Sequence, residues 1–75
     1  MTRRQSEVLA FIKSFWKDAG YSPSYREIGS ALNTSQSNAH DLVRQLEVKG
    51  YVSLIGGRHR SIQINESKTM EVKNG

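Results

Sequence analysis

Apolar residues recur along this chain in two periods, and the switch between them divides it. Val8, Leu9, Ile12, Phe15, Trp16 and Ala19 follow i, i+3, i+4, i+7 spacing, which predicts a long amphipathic helix. Thr2 and Gln5 stand three apart at its start, the spacing of a capping box, and Gly20 stops it. After the turn Tyr21-Ser22-Pro23, Ser24 and Glu27 repeat that spacing, and Ile28, Ala31 and Leu32 give a short second helix one apolar side, closed by Asn33-Thr34. Ser35 can cap a third helix whose stripe is Ala39, Leu42, Val43 and Leu46 and whose stop is Lys49-Gly50.

From Tyr51 the period falls from 3.6 to 2. Val52 and Leu54 alternate with Tyr51, Ser53 and Ile55, and beyond two glycines Ile62 and Ile64 alternate with Ser61 and Gln63. That pattern predicts an antiparallel hairpin with Val52, Leu54, Ile62 and Ile64 on its inner face. Two short helices separated by about two residues have the sequence form of a helix-turn-helix, and the first helix is needed to cover them. The expected fold is therefore mainly α with a small β-hairpin, a three-helix winged helix-turn-helix spanning residues 1–64. Residues 65–75 lack periodicity, carry Met70 and Val72 as their sizeable apolar groups, and are expected to form a flexible C-terminal tail.

Composition narrows the function. Seventy-five residues support one small domain without room for a deep catalytic cleft, and the absence of cysteine excludes disulfides and thiolate metal sites. The net charge is +4, and all of it falls in residues 1–64, which hold nine basic and five acidic side chains. Nucleic acid is a plausible partner for such a domain, although a charge this small says little alone. The N-terminus Met1-Thr2-Arg3-Arg4 is unlike a signal peptide, and no apolar run approaches the ~20 residues needed to cross a bilayer. A cytoplasmic protein without membrane association is expected.

The position of the polar residues says more than their number. With the third-helix stripe set inward, Ser37, His40, Asp41 and Arg44 occupy the opposite arc, Asn38 its edge, and Ser35 and Gln36 the N-terminus. These seven are the candidates for base readout in the major groove: amides pair with adenine, a carboxylate accepts from cytosine N4, and arginine meets guanine or phosphate. An ordinary solvated face is the competing explanation, with Asp41 paired to Arg44 at i+3. Arg58, His59 and Arg60 follow Gly56-Gly57 at the hairpin tip and are expected on the DNA backbone or in the minor groove, unless they serve only to discourage edge pairing. Ser24, Tyr25 and Arg26, in the first turn of the second helix, are further backbone candidates, while capping is the simpler role of the serine. Arg3 and Arg4 add charge at the chain start without an assigned purpose.

Other chemistries are weaker. Most of Phe11, Phe15, Trp16, Tyr21, Tyr25 and Tyr51 occupy positions a small core needs, so packing is favoured over stacking on single-stranded bases. His40 and His59 lack the companions of a zinc site, so neither a metal nor a cofactor is expected. Glycine-rich phosphate loops, nucleophile elbows and carboxylate pairs backed by a pocket are absent from the sequence, and an enzyme is not expected.

Thr2, Arg4-Gln5, Glu7-Val8, Ile12, Gly20, Pro23, Glu27-Ile28, Leu32, Ser35, Leu46, Lys49-Gly50, Arg60 and Ile62 together resemble the N-terminal DNA-binding domain of the LexA repressor family. The T-x-R-Q-x-E-V opening and the P-S-x-R-E-I and K-G-Y-V segments carry most of the specificity. The resemblance implies a transcriptional repressor of the SOS type or a phage-encoded relative. It would hold double-stranded operator DNA through the third helix, with Ser35, Ser37, Asn38, His40 and Asp41 toward the bases and the wing in support. Two departures stand out: the turn at Asn33-Thr34 looks one residue short and lacks the family's glycine, and His40 replaces an acidic or polar reader. A full family member adds a C-terminal domain that dimerises and cuts its own chain with a Ser/Lys pair. This chain is thus expected to be either an excised domain or a short stand-alone relative of phages and mobile elements. A homodimer on two half-sites would raise the affinity of so small a module. The alternative is a winged-helix interaction module that binds another repressor or a polymerase subunit.

Overall fold

The computed structural model describes residues 1–55 and 62–65. They form α1 (Arg3–Ala19), α2 (Tyr25–Ala31), α3 (Gln36–Val48), β1 (Val52–Leu54) and β2 (Ile62–Ile64), the winged helix-turn-helix order. The wing tip with Arg58, His59 and Arg60, and the tail beyond Asn65, lie outside the described residues.

Each helix begins where its cap residue can satisfy an orphan amide. The Thr2 hydroxyl accepts from the Gln5 amide at 3.1 Å while the Thr2 amide donates to Gln5 Oε1 at 3.2 Å; Ser24 and Glu27 exchange the same pair at 3.1 and 2.8 Å. Ser35 accepts from the Asn38 amide at 3.0 Å. Both expected capping boxes are present.

The helix ends obey one rule. Gly20 leaves α1 at φ 82° and Gly50 leaves α3 at φ 87°, a left-handed conformation that costs glycine little. Around Gly50 the chain reverses through Gly50 N–H to Glu47 carbonyl and Tyr51 N–H to Leu46 carbonyl bonds, each 3.0 Å. The turn after α2 has the same construction without a glycine. Asn33 takes φ 56°, its amide donates to the Ser30 carbonyl at 3.3 Å, and Thr34 donates to the Gly29 carbonyl at 2.8 Å. Asparagine is the non-glycine residue that best tolerates this region, so Asn33 supplies the reversal that the missing glycine would have made.

The core joins one stripe from each element: Val8, Leu9 and Ile12 of α1, Ile28 of α2, Ala39, Leu42, Val43 and Leu46 of α3, with Val52 and Ile62 beneath. The third-helix stripe is buried as its spacing predicts. Phe15 and Trp16 are only half-buried, and Ala19 and Ala31, expected on the inner faces, are exposed. Both alanines sit at the last residue of a helix. Phe11, outside the expected stripe, packs against the core, and it contacts Phe15 at a ring separation of 5.8 Å. Trp16, Tyr25 and Tyr51 also pack on the core, while Tyr21 is 49% exposed and meets Phe15 edge-on at 5.6 Å.

β1 and β2 pair antiparallel with Val52 opposite Ile64 and Leu54 opposite Ile62, so the four residues share one face as predicted. Two strands alone are marginal in water, and side chains from elsewhere hold them. The Ile62 amide donates to Ser22 Oγ at 3.1 Å and its carbonyl accepts from Trp16 Nε1 at 2.9 Å. Asn65 closes the strand pair through its amide to the Tyr51 carbonyl at 3.0 Å and its Nδ2 to the Gly50 carbonyl at 2.9 Å. Among the described residues no helix is long and apolar enough to cross a membrane.

Candidate nucleic-acid interface

The α2–α3 turn decides where the outer face of α3 points, and Gly29 sets how closely the two helices approach. A Cβ there would stand 2.9 Å from the Thr34 carbonyl oxygen and 3.1 Å from that of Ser35, both backbone atoms. Only a glycine lets the start of α3 lie this close to the middle of α2.

With the inner stripe buried, Ser35, Gln36, Ser37, Asn38, His40, Asp41 and Arg44 are all exposed. The arc expected from periodicity is thus formed by the fold. Two of its members are tied down. Ser35 Oγ is held as the helix cap, and Asn38 Nδ2 donates to Thr34 Oγ1 at 2.8 Å, which leaves the Asn38 amide its oxygen and one hydrogen for an outside partner. Asp41 and Arg44 are not joined: the ion pairs among the described residues are Arg3 and Arg4 with Glu7, so the i+3 pairing of the competing reading does not form.

Ser24, Tyr25 and Arg26 are brought beside this arc. Tyr25, Gln36, Ser37, His40 and Asp41 border one shallow depression, and Ser24, Tyr25, Arg26 and Gln36 border the next. Base-readout and backbone candidates therefore meet along one surface, with Tyr25 and Gln36 common to both hollows. The Tyr25 ring lies 4.8 Å from the His40 ring at an interplanar angle of 59°. Burial raises the pKa of its phenol above the usual 10.0, the Glu47 carboxylate raises it further, and the Arg44 guanidinium opposes. The Ser24 hydroxyl accepts the Glu27 amide, so capping is its internal role.

Sequence reasoning missed a polar seam on the other side of α3. Gln5 is 4% exposed, donates through Nε2 to Gln45 Oε1 at 2.6 Å, and accepts from Lys49 Nζ at 2.8 Å. Its position was the signal: Gln5 stands in phase with Val8, Leu9 and Ile12, and a polar residue on a buried stripe needs internal partners. Arg4 likewise has a purpose, since its Nη2 donates to the Leu32 carbonyl at 2.9 Å at the end of α2. No periodicity reveals that bond, because its partners are far apart in sequence.

Among the described residues, no group of three or more His, Cys, Asp or Glu side chains gathers as metal ligands would. What the surface offers is a row of hydrogen-bond donors and acceptors on a helix, together with the cations Arg26 and Arg44. Such a surface can read base edges and hold phosphates.

Similarity to known proteins agrees with this geometry. Residues 1–61 match the model of the LexA DNA binding domain. The chain is 39% identical over 75 residues to the LexA repressor of Finegoldia magna, a match covering 99% of this chain and 36% of the relative. It is also 39% identical, with the same coverage, to the LexA repressor of Staphylococcus haemolyticus. With that of Shouchella clausii it shares 42% identity over 65 residues, 85% of this chain and 31% of the relative. The chain spans about a third of the length of these relatives.

Proposed function

Because this chain belongs to the LexA DNA-binding-domain family, we propose that it represses transcription by occupying operator DNA, with α3 in the major groove. The observation that carries the reading is the division of α3: Ala39, Leu42, Val43 and Leu46 are buried, while every polar residue on its outer arc from Gln36 to Arg44 is exposed beside the start of α2. Ser35, Gln36, Ser37, Asn38, His40, Asp41 and Arg44 read bases in this proposal. Ser24, Tyr25 and Arg26 support them at the backbone, and Arg58, His59 and Arg60, placed by sequence pattern between the paired Leu54 and Ile62, reach phosphates or the minor groove.

The DNA-binding unit is residues 1–64, closed by the hydrogen bonds of Asn65. The repressor is of the SOS type or a phage-encoded relative, as the family resemblance implies, the setting is the cytoplasm, and two copies on two half-sites supply affinity that one module lacks. The role is binding, without a catalytic step.

Fluorescence anisotropy against a LexA-like palindrome and a randomised duplex pool, at two salt concentrations, tests the reading. Tight, sequence-selective binding that weakens steeply with salt is expected. Arg44→Ala weakens it while changing stability by less than about 0.5 kcal/mol, as an exposed residue should. If Arg44 holds a phosphate, its loss lowers the salt slope by about one unit, and Arg58→Ala and Arg60→Ala do the same. Absence of duplex binding at low salt would reject the proposal.

A further inference from the structure

Tyr25 belongs to α2, yet it runs along the reading face of α3. Its ring centroid is 4.8 Å from that of His40, and it borders both hollows of the candidate interface. Farther along α3 its phenol feels the charges of Arg44 and Glu47. Positions 40, 44 and 47 are i, i+4 and i+7, a single stripe on one side of a helix, and the ring contact places Tyr25 at its His40 end. The tyrosine is itself anchored, being partly buried and packed on the core.

The arrangement matters because an exposed histidine on a helix samples several rotamers. A hydrogen bond to one base edge requires a fixed ring position, and reading residues discriminate well only when neighbours hold their rotamers. An aromatic face from α2 supplies that restraint to His40, whereas restraint from within α3 would have to come from its own side chains.

We propose that Tyr25 is a specificity-determining positioning residue: its ring holds the His40 imidazole in one orientation, so that α2 and α3 jointly set the base preference at the pair His40 reads. The inference rests on the DNA-reading role of α3 stated above. It differs from a packing role in what it predicts. A tyrosine that only supports the core, or only touches the DNA backbone, would when lost weaken binding to every duplex by the same factor, whereas a positioning tyrosine also alters preference at one base pair.

The test starts with selection from a randomised duplex pool. Affinities are then measured for the preferred duplex and for its single-pair substitutions, using the unaltered protein, Tyr25→Ala, Tyr25→Phe, His40→Ala and the double variant. Tyr25→Ala is expected to lower discrimination about five- to tenfold at the same base pair as His40→Ala, since a good base contact is worth that much or more. The double variant should lose no more than His40→Ala alone, the non-additivity of residues acting as one unit. Tyr25→Phe keeps the ring and should restore the discrimination. Should Tyr25→Ala fail to fold, Tyr25→Leu retains apolar bulk on the core without an aromatic face, and the same loss is expected of it. An equal weakening on all duplexes, or a loss at a pair other than the one His40 reads, would overturn the proposal. An unaltered protein without sequence preference would overturn the DNA-reading role as well, so the two failures are distinguishable.

Discussion

Gln45 and Lys49 at the C-terminal end of α3, and Gln36, Ser37, His40 and Asp41 toward its N-terminus, are all polar and all exposed. Their relations to the rest of the chain are opposite. Gln45 and Lys49 close on the buried amide of Gln5, so their hydrogen bonds join α3 to α1. Both groups border an open hollow, but no side-chain hydrogen bond to another described residue ties the N-terminal group down, and the Tyr25 ring lies against His40 there. Exposure alone therefore does not separate a structural polar residue from one that meets a ligand. The useful question is whether its hydrogen bonds end inside the protein.

The largest expected effect comes from disturbing the turn on which the N-terminal group depends. Gly29→Ala forces backbone oxygens of Thr34 and Ser35 aside, at a cost of about 1–3 kcal/mol. Thermal unfolding should show it, at about 4–8 °C per kcal/mol for a domain of this size. An unchanged melting temperature would mean that the close approach of α2 and α3 has slack.

Gln5→Ala acts at the other end. It removes the seam and half of the first capping box, and should cost about 1–2 kcal/mol in urea unfolding, because Gln45 and Lys49 can turn to water. DNA affinity of the folded variant should stay within about twofold. A tenfold loss there, equal to about 1.4 kcal/mol of binding, would erase the distinction between the two ends.

Ser35→Ala sharpens the distinction, since Ser35 belongs to both categories: a helix cap and a candidate reader. Loss of the cap is worth about 1 kcal/mol of stability. Ser35→Asp preserves the cap and places a charge toward the DNA, so it should fold normally and bind more weakly. Equal binding by the two variants would assign Ser35 to structure alone.

The smallest effect is alkaline. The Tyr25 phenol has a raised pKa in the folded state, so the folded protein holds its proton more tightly than the unfolded chain. The associated stability is fully present below pH 10.0 and is lost as the pH rises through the folded-state pKa. Urea midpoints from pH 8 upward should decline less for Tyr25→Phe than for the unaltered chain. Identical alkaline profiles would mean that the phenol lies farther from Glu47 and from desolvation than its position implies.

Much of this was readable from sequence because it depends on neighbours. The caps at Thr2, Ser24 and Ser35, the stops at Gly20 and Gly50, and the change of period at Tyr51 all arise from interactions within a few residues. The buried stripe of α3 follows from helical period, and its complement, the exposed arc from Gln36 to Arg44, follows from the stripe. Membership of the LexA DNA-binding family was legible for the same reason, through short segments such as P-S-x-R-E-I.

Tertiary structure alone decided the rest. Helical period counted Ala19 and Ala31 as inward, but both are exposed at the last residue of their helices. Charge spacing suggested an Asp41–Arg44 pair, but the pair does not form. The Gln5 seam, the Arg4 bond to Leu32, the Trp16 and Ser22 bonds to Ile62, and the contact of Tyr25 with His40 join residues 15 to 46 positions apart. Local pattern carries no trace of such pairs, because their distance is set by how the hydrophobic stripes dock, and docking is a property of the whole core.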